Sequence, residues 1–409
     1  MTQPVPAHEA RELAALTGPG AGALLQGIVS ERITAWQVHT THHRPGAGVT
    51  VGYTATVVDS GGLVEDYLCL TTGPINSSCP HLRRVVGPDG LIAHGWRHPH
   101  DPDLPALATA CDSAAMGRRL GGKVSLELLS YRPTRRAVVR LKAESGTAYA
   151  KVVRPGRRQS LAKRHVMLTR AGIPAPQLLR CDDDGLVVIS ACSGTPLANV
   201  LSRGMGAAAP TILSSLIDTL DRLPRQALDL SRRPSWSERA DHYAHGAITV
   251  LPAHRDRLLA LARGINELMA RSNPGPLVPV HGDFYEANIL VEGHQISGLI
   301  DVDSLGPGHR VDDLGCLLGH ISVLPHLAPR SYPHVPNELE GWIRQCEQLV
   351  DPVALNARCA GVTLSLIAGA RREDGENWLP DAEGRLAAAE MWLARGRAHL
   401  ARAQHPALL

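Results

Sequence analysis

Two short stretches of this 409-residue chain carry side chains suited to handling phosphate. From His281 to Leu290 the sequence reads HGDFYEANIL, and from Leu299 to Ser304 it reads LIDVDS. Phosphoryl transfer requires a carboxylate that positions the acceptor, oxygen ligands for the magnesium that bridges the phosphates, and a cation over the phosphate tail. Asp283, Asn288 and Asp301 can supply the first two. Asp283 and Asn288 share one short polar loop, whereas ISGLIDV before Asp303 reads as a buried strand ending in carboxylates. Asp301 is therefore expected where a hard cation can be held against the loop.

The interval from His281 through Asp283 to Asn288 matches that of H-R-D-L-x-x-x-N, with Gly282 in place of the middle arginine, and that replacement points away from ordinary protein kinases. Taken in order, HGDxxxxNIL, IDxD and GPGHRVDDLG, which ends on Asp313, Leu314 and a glycine, resemble the aminoglycoside phosphotransferase and choline kinase-like superfamily. The resemblance implies an α+β, bilobal protein-kinase-like fold with a β-rich small lobe and a mainly helical large lobe, and it implies ATP and Mg2+ as cofactors. It assigns Asp283 as the catalytic aspartate, acting at short range and by orientation on a substrate hydroxyl or amine. Asn288 and Asp301 look like the metal ligands. His281 is expected to brace the loop through its ring nitrogens, and Asp313 to support it from a helix start, where the helix-end charge favours an acid. Asp303 reads equally as a second metal or acceptor ligand and as a solvated strand-end carboxylate. Glu286, beside the loop, is a candidate for attracting an amine of the acceptor. His309 stands where many relatives carry aspartate.

The elements that must position these groups begin upstream. AVVRLKAESGTAYAKVVRP, from Ala137 to Pro155, reads as a hairpin turning at Glu144, Ser145 and Gly146, with Lys151 inside its second strand. Lys151 resembles the small-lobe lysine that meets the nucleotide phosphates; a solvent-facing lysine is the alternative. The following helix, GRRQSLAKRHVMLTR, offers no acid to pair with it, and no G-x-G-x-x-G lies between the expected first strands. Instead YRPTRRAVV gives a basic turn in which Arg135 and Arg136 are candidates for phosphate binding or for solvent. Backbone groups at Ser190, Ala191 and Cys192, in LVVISACSGTPL, are expected to face the adenine edge. GRRLGGKV, from Gly117 to Val124, nearly spells a phosphate loop, but Val124 lacks the hydroxyl that magnesium requires, and we place it in the approach to the small lobe.

Composition agrees with a globular enzyme. Hydrophobic residues make up 44% and the formal charge is +3, which argues against a dedicated nucleic-acid binder. Aromatics make up 3%, and the single phenylalanine is Phe284 within the loop, so base-stacking platforms are not indicated. Eight cysteines without a C-x-x-C pair suit reduced thiols in the cytoplasm. Neither the start MTQPVPAHEARELAAL nor any later stretch has the apolar length of a signal or of a membrane span.

The expected organisation is an N-terminal cap over residues 1–115, a small lobe over 116–194 and a helical large lobe over 195–409. In the cap, HHRPGAGVTVGYTATVVDSGG echoes YRPTRRAVVRLKAESG, pairing Arg44 and Pro45 with Arg132 and Pro133. This reads either as a duplicated hairpin or as common turn chemistry. His94 to Pro105 reads as the exit loop of the cap. The expected activity is ATP- and Mg2+-dependent transfer to a hydroxyl of a small polar metabolite, such as a sugar, amino sugar or amino alcohol. An aminoglycoside or peptide-antibiotic acceptor and a nucleotide-binding scaffold without catalysis are the alternatives.

Overall fold

The computed structural model describes residues 7–43, 46–87, 90–373 and 378–404. Residues 1–6 of the N-terminal stretch read above, and the Arg44 and Pro45 of the internal echo, lie outside the described residues. The chain divides into two compact units, Met1–Ala162 with Gln177–Ala191, and Lys163–Pro176 with Cys192–Leu409.

In the first unit, two antiparallel five-stranded sheets follow one plan. Helices α1 (Ala7–Thr17) and α2 (Ala21–Gln26) precede β1 (Arg32–His43), β2 (Val49–Asp59), β3 (Gly62–Thr71), β4 (Arg83–Val86) and β5 (Ile92–Arg97). Helices α3 (Leu107–Ala110) and α4 (Ser113–Leu120) precede β6 (Val124–Arg132), β7 (Arg136–Ala143), β8 (Gly146–Val153), β9 (Leu178–Cys181) and β10 (Leu186–Ser190). The strand orders are β1-β2-β3-β5-β4 and β6-β7-β8-β10-β9. Each central hairpin closes on a glycine with positive φ, Gly62 at 122° and Gly146 at 119°, paired with Asp59 and Ala143. Tight hairpin turns require such angles, and glycine adopts them without a Cβ clash.

Alternation along the strands builds two separate cores. Val51, Tyr53 and Ala55 of β2 pack with Leu68 and Leu70 beneath Leu16, Leu24 and Leu25 of the first helices. Val139 and Leu141 of β7 pack with Val152 and Val188 beneath Leu104, Leu107 and Met116. That second core corrects the expected boundary at 115. The cut falls inside α4, whose start Asp112 caps by accepting the Ala115 N–H at 2.8 Å, and residues from Leu104 onward already cover the second sheet. The expected exit loop begins later as well, because His94–Arg97 are part of β5 and pair with β3. Gly121 ends α4 in the left-handed region and the chain then enters β6, so GRRLGGKV runs from helix to strand, the reverse of a phosphate loop. Helix α5 (Arg158–Arg170) lies between β8 and β9 in sequence, and the division between the units falls within it.

The second unit is mainly helical. After β11 (Thr195–Pro196) come α6 (Leu197–Arg203), α7 (Ala209–Asp221), α8 (Ala240–Val250) and α9 (Arg255–Ala270). The strands β12 (Leu277–Val280), β13 (Ile289–Glu292), β14 (Gln295–Leu299) and β15 (Gly306–His309) follow, then α10 (Arg310–Leu327), α11 (Val335–Leu349), α12 (Pro352–Ile367), α13 (Ala370–Glu373) and α14 (Trp378–Gln404). Helices α11 and α12 are separated where Asp351 caps α12 by accepting the N–H groups of Val353 and Ala354. Helix α10 is buried along most of its length against α12, where a Cβ on Gly315 would stand 2.4 Å from that of Arg358. The α+β class and the division into a β-rich and a mainly helical part agree with the expectation. Among the described residues, no helix is long and apolar enough to cross a membrane.

Candidate phosphotransfer site

The loop from His281 to Asn288 leaves β12, closes in a 3-10 turn over Glu286–Asn288 and enters β13. The hairpin of β13 and β14 pairs Ile289 with Leu299, so the chain returns to the loop immediately before Asp301. Two bonds fasten loop and strand end together. The Ile300 N–H donates to the Asn288 carbonyl at 2.9 Å, and His281 Nε2 lies 3.0 Å from the Ile300 carbonyl. With Nε2 donating, His281 Nδ1 accepts the Asp283 N–H at 3.3 Å. This ring is neutral, because burial pulls its pKa down to about 4 against the opposing effects of the Ile300 carbonyl and nearby acids.

Asp313, fully buried in the first turn of α10, holds the other side of the loop. Its Oδ2 accepts the His281 N–H and its Oδ1 the Gly282 N–H, both at 2.8 Å. Burial raises this carboxyl to about 7, opposed by the same two N–H groups. His309 begins the helix, its N–H donating to Asp312 at 2.9 Å. Gly282 has φ 79°, and a Cβ there would stand 2.8 Å from the Ser304 carbonyl oxygen. The middle arginine of the kinase motif therefore has no room here.

Asn288 is buried, and its Nδ2 donates to the Asp283 carbonyl at 2.9 Å. That bond orients the amide and leaves Oδ1 as the group able to meet a cation. Asp301 takes the left-handed conformation, φ 53°, and turns the chain into the 3-10 segment Val302–Ser304 that contains Asp303. A neutral amide oxygen with a carboxylate fits magnesium, which is commonly held by one or two protein oxygens together with phosphates and water. Glu286 is buried, its Oε2 lacks a hydrogen-bond partner among the described residues, and burial raises its pKa to about 7.

Three supports of this loop were not read from the sequence. Tyr285 stacks on His320 of α10 at 4.2 Å between ring centroids, Arg164 Nε donates to the Leu305 carbonyl at 3.1 Å, and Arg233 Nη1 donates to Ser304 Oγ at 2.9 Å. Each joins segments distant in sequence, so no local spacing announces them.

The first unit carries the proposed nucleotide groups. Lys151 is half-buried in β8, opposite Val138 of β7 and Val187 of β10. Arg135 lies in the exposed part of the β6–β7 turn and Arg136 opens β7. At the end of β10, the Ser190 N–H donates to the Gln177 carbonyl and the Ala191 N–H to the Thr147 carbonyl. These two donors are thus engaged within the sheet, and an adenine edge would have to meet other backbone groups of the segment. The division between units falls between Ala191 and Cys192, within the stretch expected to face the adenine edge.

Residues 133–334 match the model of the phosphotransferase enzyme family, a span that starts in the β6–β7 turn and takes in Lys151, the 281–288 loop, Asp301 and Asp313. Residues 133–334 belong to that family. The phosphotransferase segment thus excludes the first sheet. No curated protein matches the chain significantly. Among solved structures, the chain is similar to aminoglycoside phosphotransferase APH(4)-Ia at 14% identity, covering 71% of this chain and 99% of that one, with a TM-score of 0.49. It is similar to a thermostable mutant of the same enzyme in ternary complex with AMP-PNP and hygromycin B, at 17% identity over 69% and 98% of the two chains and a TM-score of 0.46. It is also similar to aminoglycoside phosphotransferase APH(3'')-Id from Streptomyces rimosus, at 19% identity over 62% and 97%, with a TM-score of 0.41.

Proposed function

We propose that this phosphotransferase uses ATP and magnesium to phosphorylate a hydroxyl of a small polar metabolite, a sugar, amino sugar or amino alcohol. The observation that supports this reading best is the fastened loop, in which His281 and Asp313 fix the backbone around Asp283 while Asn288 is tied to both Asp283 and Ile300. Asp283 orients the acceptor hydroxyl and receives its proton as the bond to phosphorus forms. Asn288 Oδ1 and the Asp301 carboxylate hold the cation, which when bound neutralises charge on the β- and γ-phosphates. Lys151, with Arg135 and Arg136, meets the phosphate chain, and backbone around Ser190, Ala191 and Cys192 meets the adenine. His281 stays neutral and structural.

A second reading, a cationic aminoglycoside or peptide-antibiotic acceptor, draws on Glu286 and Asp303. A buried carboxyl with an unpartnered oxygen has room for one more hydrogen bond from a donor such as an ammonium group. Magnesium-dependent ATP consumption across amino sugars, aminoglycosides, amino alcohols and neutral sugars separates the two readings. ATP binding without acceptor-stimulated turnover across that panel would favour a scaffold. Asp301→Ala is expected to retain its unfolding temperature to within a few degrees while losing acceptor-dependent turnover. Near-normal magnesium-dependent kinetics in that variant would remove the metal assignment.

A further inference from the structure

The turn between β6 and β7, Pro133 to Arg135, occupies the place between first and second strands where a glycine-rich loop is missing from this sequence. In its place stands Thr134, a β-branched residue at φ 62° with its side chain buried. A non-glycine residue persists in this region only where its surroundings determine the conformation. Here the peptide groups on both sides of it are gripped. The Thr134 N–H donates to Asp101 Oδ2 at 2.7 Å, and the Thr134 carbonyl accepts from Arg154 Nε at 2.6 Å.

One grip, Asp101, comes from the short segment that follows the first sheet, and the other, Arg154 at the end of β8, is itself held by that segment. Asp101 is 3% exposed; its Oδ2 also accepts the Tyr131 hydroxyl at 2.7 Å, and its Oδ1 accepts the Asp103 N–H at 2.9 Å. Asp103 in turn holds Arg154 through an ion pair at 2.8 Å. Trp96 of β5 donates its indole N–H to the Tyr131 hydroxyl at 3.0 Å, carrying the network into the first sheet. A hydrogen-bonded chain thus runs from Trp96 through Tyr131 and Asp101 to the Thr134 peptide, and Asp103 and Arg154 close it from the other side.

We propose that the first sheet and its exit segment act as a fixed clamp on the turn that meets the nucleotide phosphates, with Asp101 as its positioning residue. A glycine-rich loop reaches phosphate by being free to adopt unusual angles; this turn reaches it by being held in one. Asp101 touches no substrate. Its effect passes through the Thr134 peptide to the adjoining Arg135 and Arg136. The inference rests on the nucleotide reading proposed above and adds to it the part played by the N-terminal region.

The test uses the full-length protein with AMP-PNP and magnesium, and separately adenosine, as calorimetric probes. Thermal unfolding is followed on the same preparations. Asp101→Ala removes the acceptor of a buried N–H and is expected to weaken AMP-PNP binding about tenfold while leaving adenosine binding within twofold, because the turn acts on phosphates and not on the base. Asp101→Asn keeps one acceptor oxygen and should fall between wild type and Asp101→Ala. Arg154→Ala, at a half-exposed side chain, serves if Asp101→Ala does not fold; it should weaken AMP-PNP alone, by about threefold. Unchanged AMP-PNP binding, or equal losses for AMP-PNP and adenosine, overturns the clamp. Wild-type protein that binds neither probe overturns the nucleotide reading itself, and the clamp with it.

Discussion

The two sheets of the first unit share a strand order and differ in what they carry. Counting along the third strand from Gly62 and from Gly146, Tyr67 stands where Lys151 stands, opposite Thr54 as Lys151 is opposite Val138. Tyr67 turns that position to packing. Its hydroxyl lies 3.1 Å from both Thr40 Oγ1 and His39 Nδ1, and its ring meets Tyr131 of the second sheet edge-on at 5.8 Å. The second sheet also has α5 between its third and fourth strands, where the described residues of the first sheet form only turns and loop. On the function proposed above, one arrangement of strands presents phosphate contacts in the second sheet and packing contacts in the first, decided by single side chains. Strand order carries no chemistry of its own.

If that is right, the heaviest losses should follow lesions outside both sheets, where the chemistry is assigned. Asp283→Asn nearly preserves size but removes the negative charge that orients and accepts the acceptor proton. Product formation is expected to fall about 100- to 10,000-fold, toward the smaller end if proton transfer is late in a dissociative transition state. AMP-PNP binding and thermal unfolding should stay close to wild type. Equal product formation by the two proteins would place the chemistry elsewhere and break the comparison at its root.

A matched pair of substitutions sharpens it next. Lys151→Ala should lower turnover about ten- to a hundredfold, as expected for the loss of a charge-assisted bond to phosphate, with little change in unfolding temperature. Tyr67→Phe, at the same register in the other sheet, should cost about 1 kcal/mol of stability through its lost hydroxyl bonds. Its ATP kinetics should match wild type. Interchanged results, with the tyrosine variant impaired in catalysis and the lysine variant only in stability, would mean that the roles of the two sheets had been assigned the wrong way round.

What could be read in the sequence follows the same line. The loop was legible as a motif because His281, Asp283 and Asn288 recur at fixed short spacing and Asp301 follows directly on the β13–β14 hairpin that leaves the loop. The echo between sheets was legible only at its glycine-closed hairpin. The remaining strands β4 and β5 are short, and the segment from His94 carries histidines and prolines that read as loop, although β5 pairs with β3 and buries Trp96. The clamp could not be read, since Asp101, Thr134 and Arg154 are individually ordinary and meet only after the sheets have formed. The boundary at 115 failed for a related reason: which sheet Leu104, Leu107 and Met116 cover is a tertiary fact, invisible to periodicity.

The smallest contrast concerns acid sensitivity and sets a histidine of the helical unit, His320, against one just past the first sheet, His100. His320 is partly buried beneath the stacked Tyr285 ring, and burial, with a lesser push from Arg385, drives its pKa down to about 3 from an unfolded value near 6.5. It is neutral in the fold but takes up a proton on unfolding at mildly acid pH. Its contribution is thus complete above pH 6.5 and is lost at about 1.4 kcal/mol per pH unit as pH falls towards 3. His320→Gln should be less stable than wild type at pH 7, with a deficit that shrinks by about that amount between pH 6 and pH 5. His100 is also lowered, by burial and by its stacked neighbour His81, yet it remains partly exposed. The deficit of His100→Gln should therefore narrow less over the same interval. Urea unfolding of the three proteins at pH 7, 6 and 5 gives the comparison directly. A deficit of His320→Gln that stays constant with pH would show that this ring is not held neutral beneath the loop.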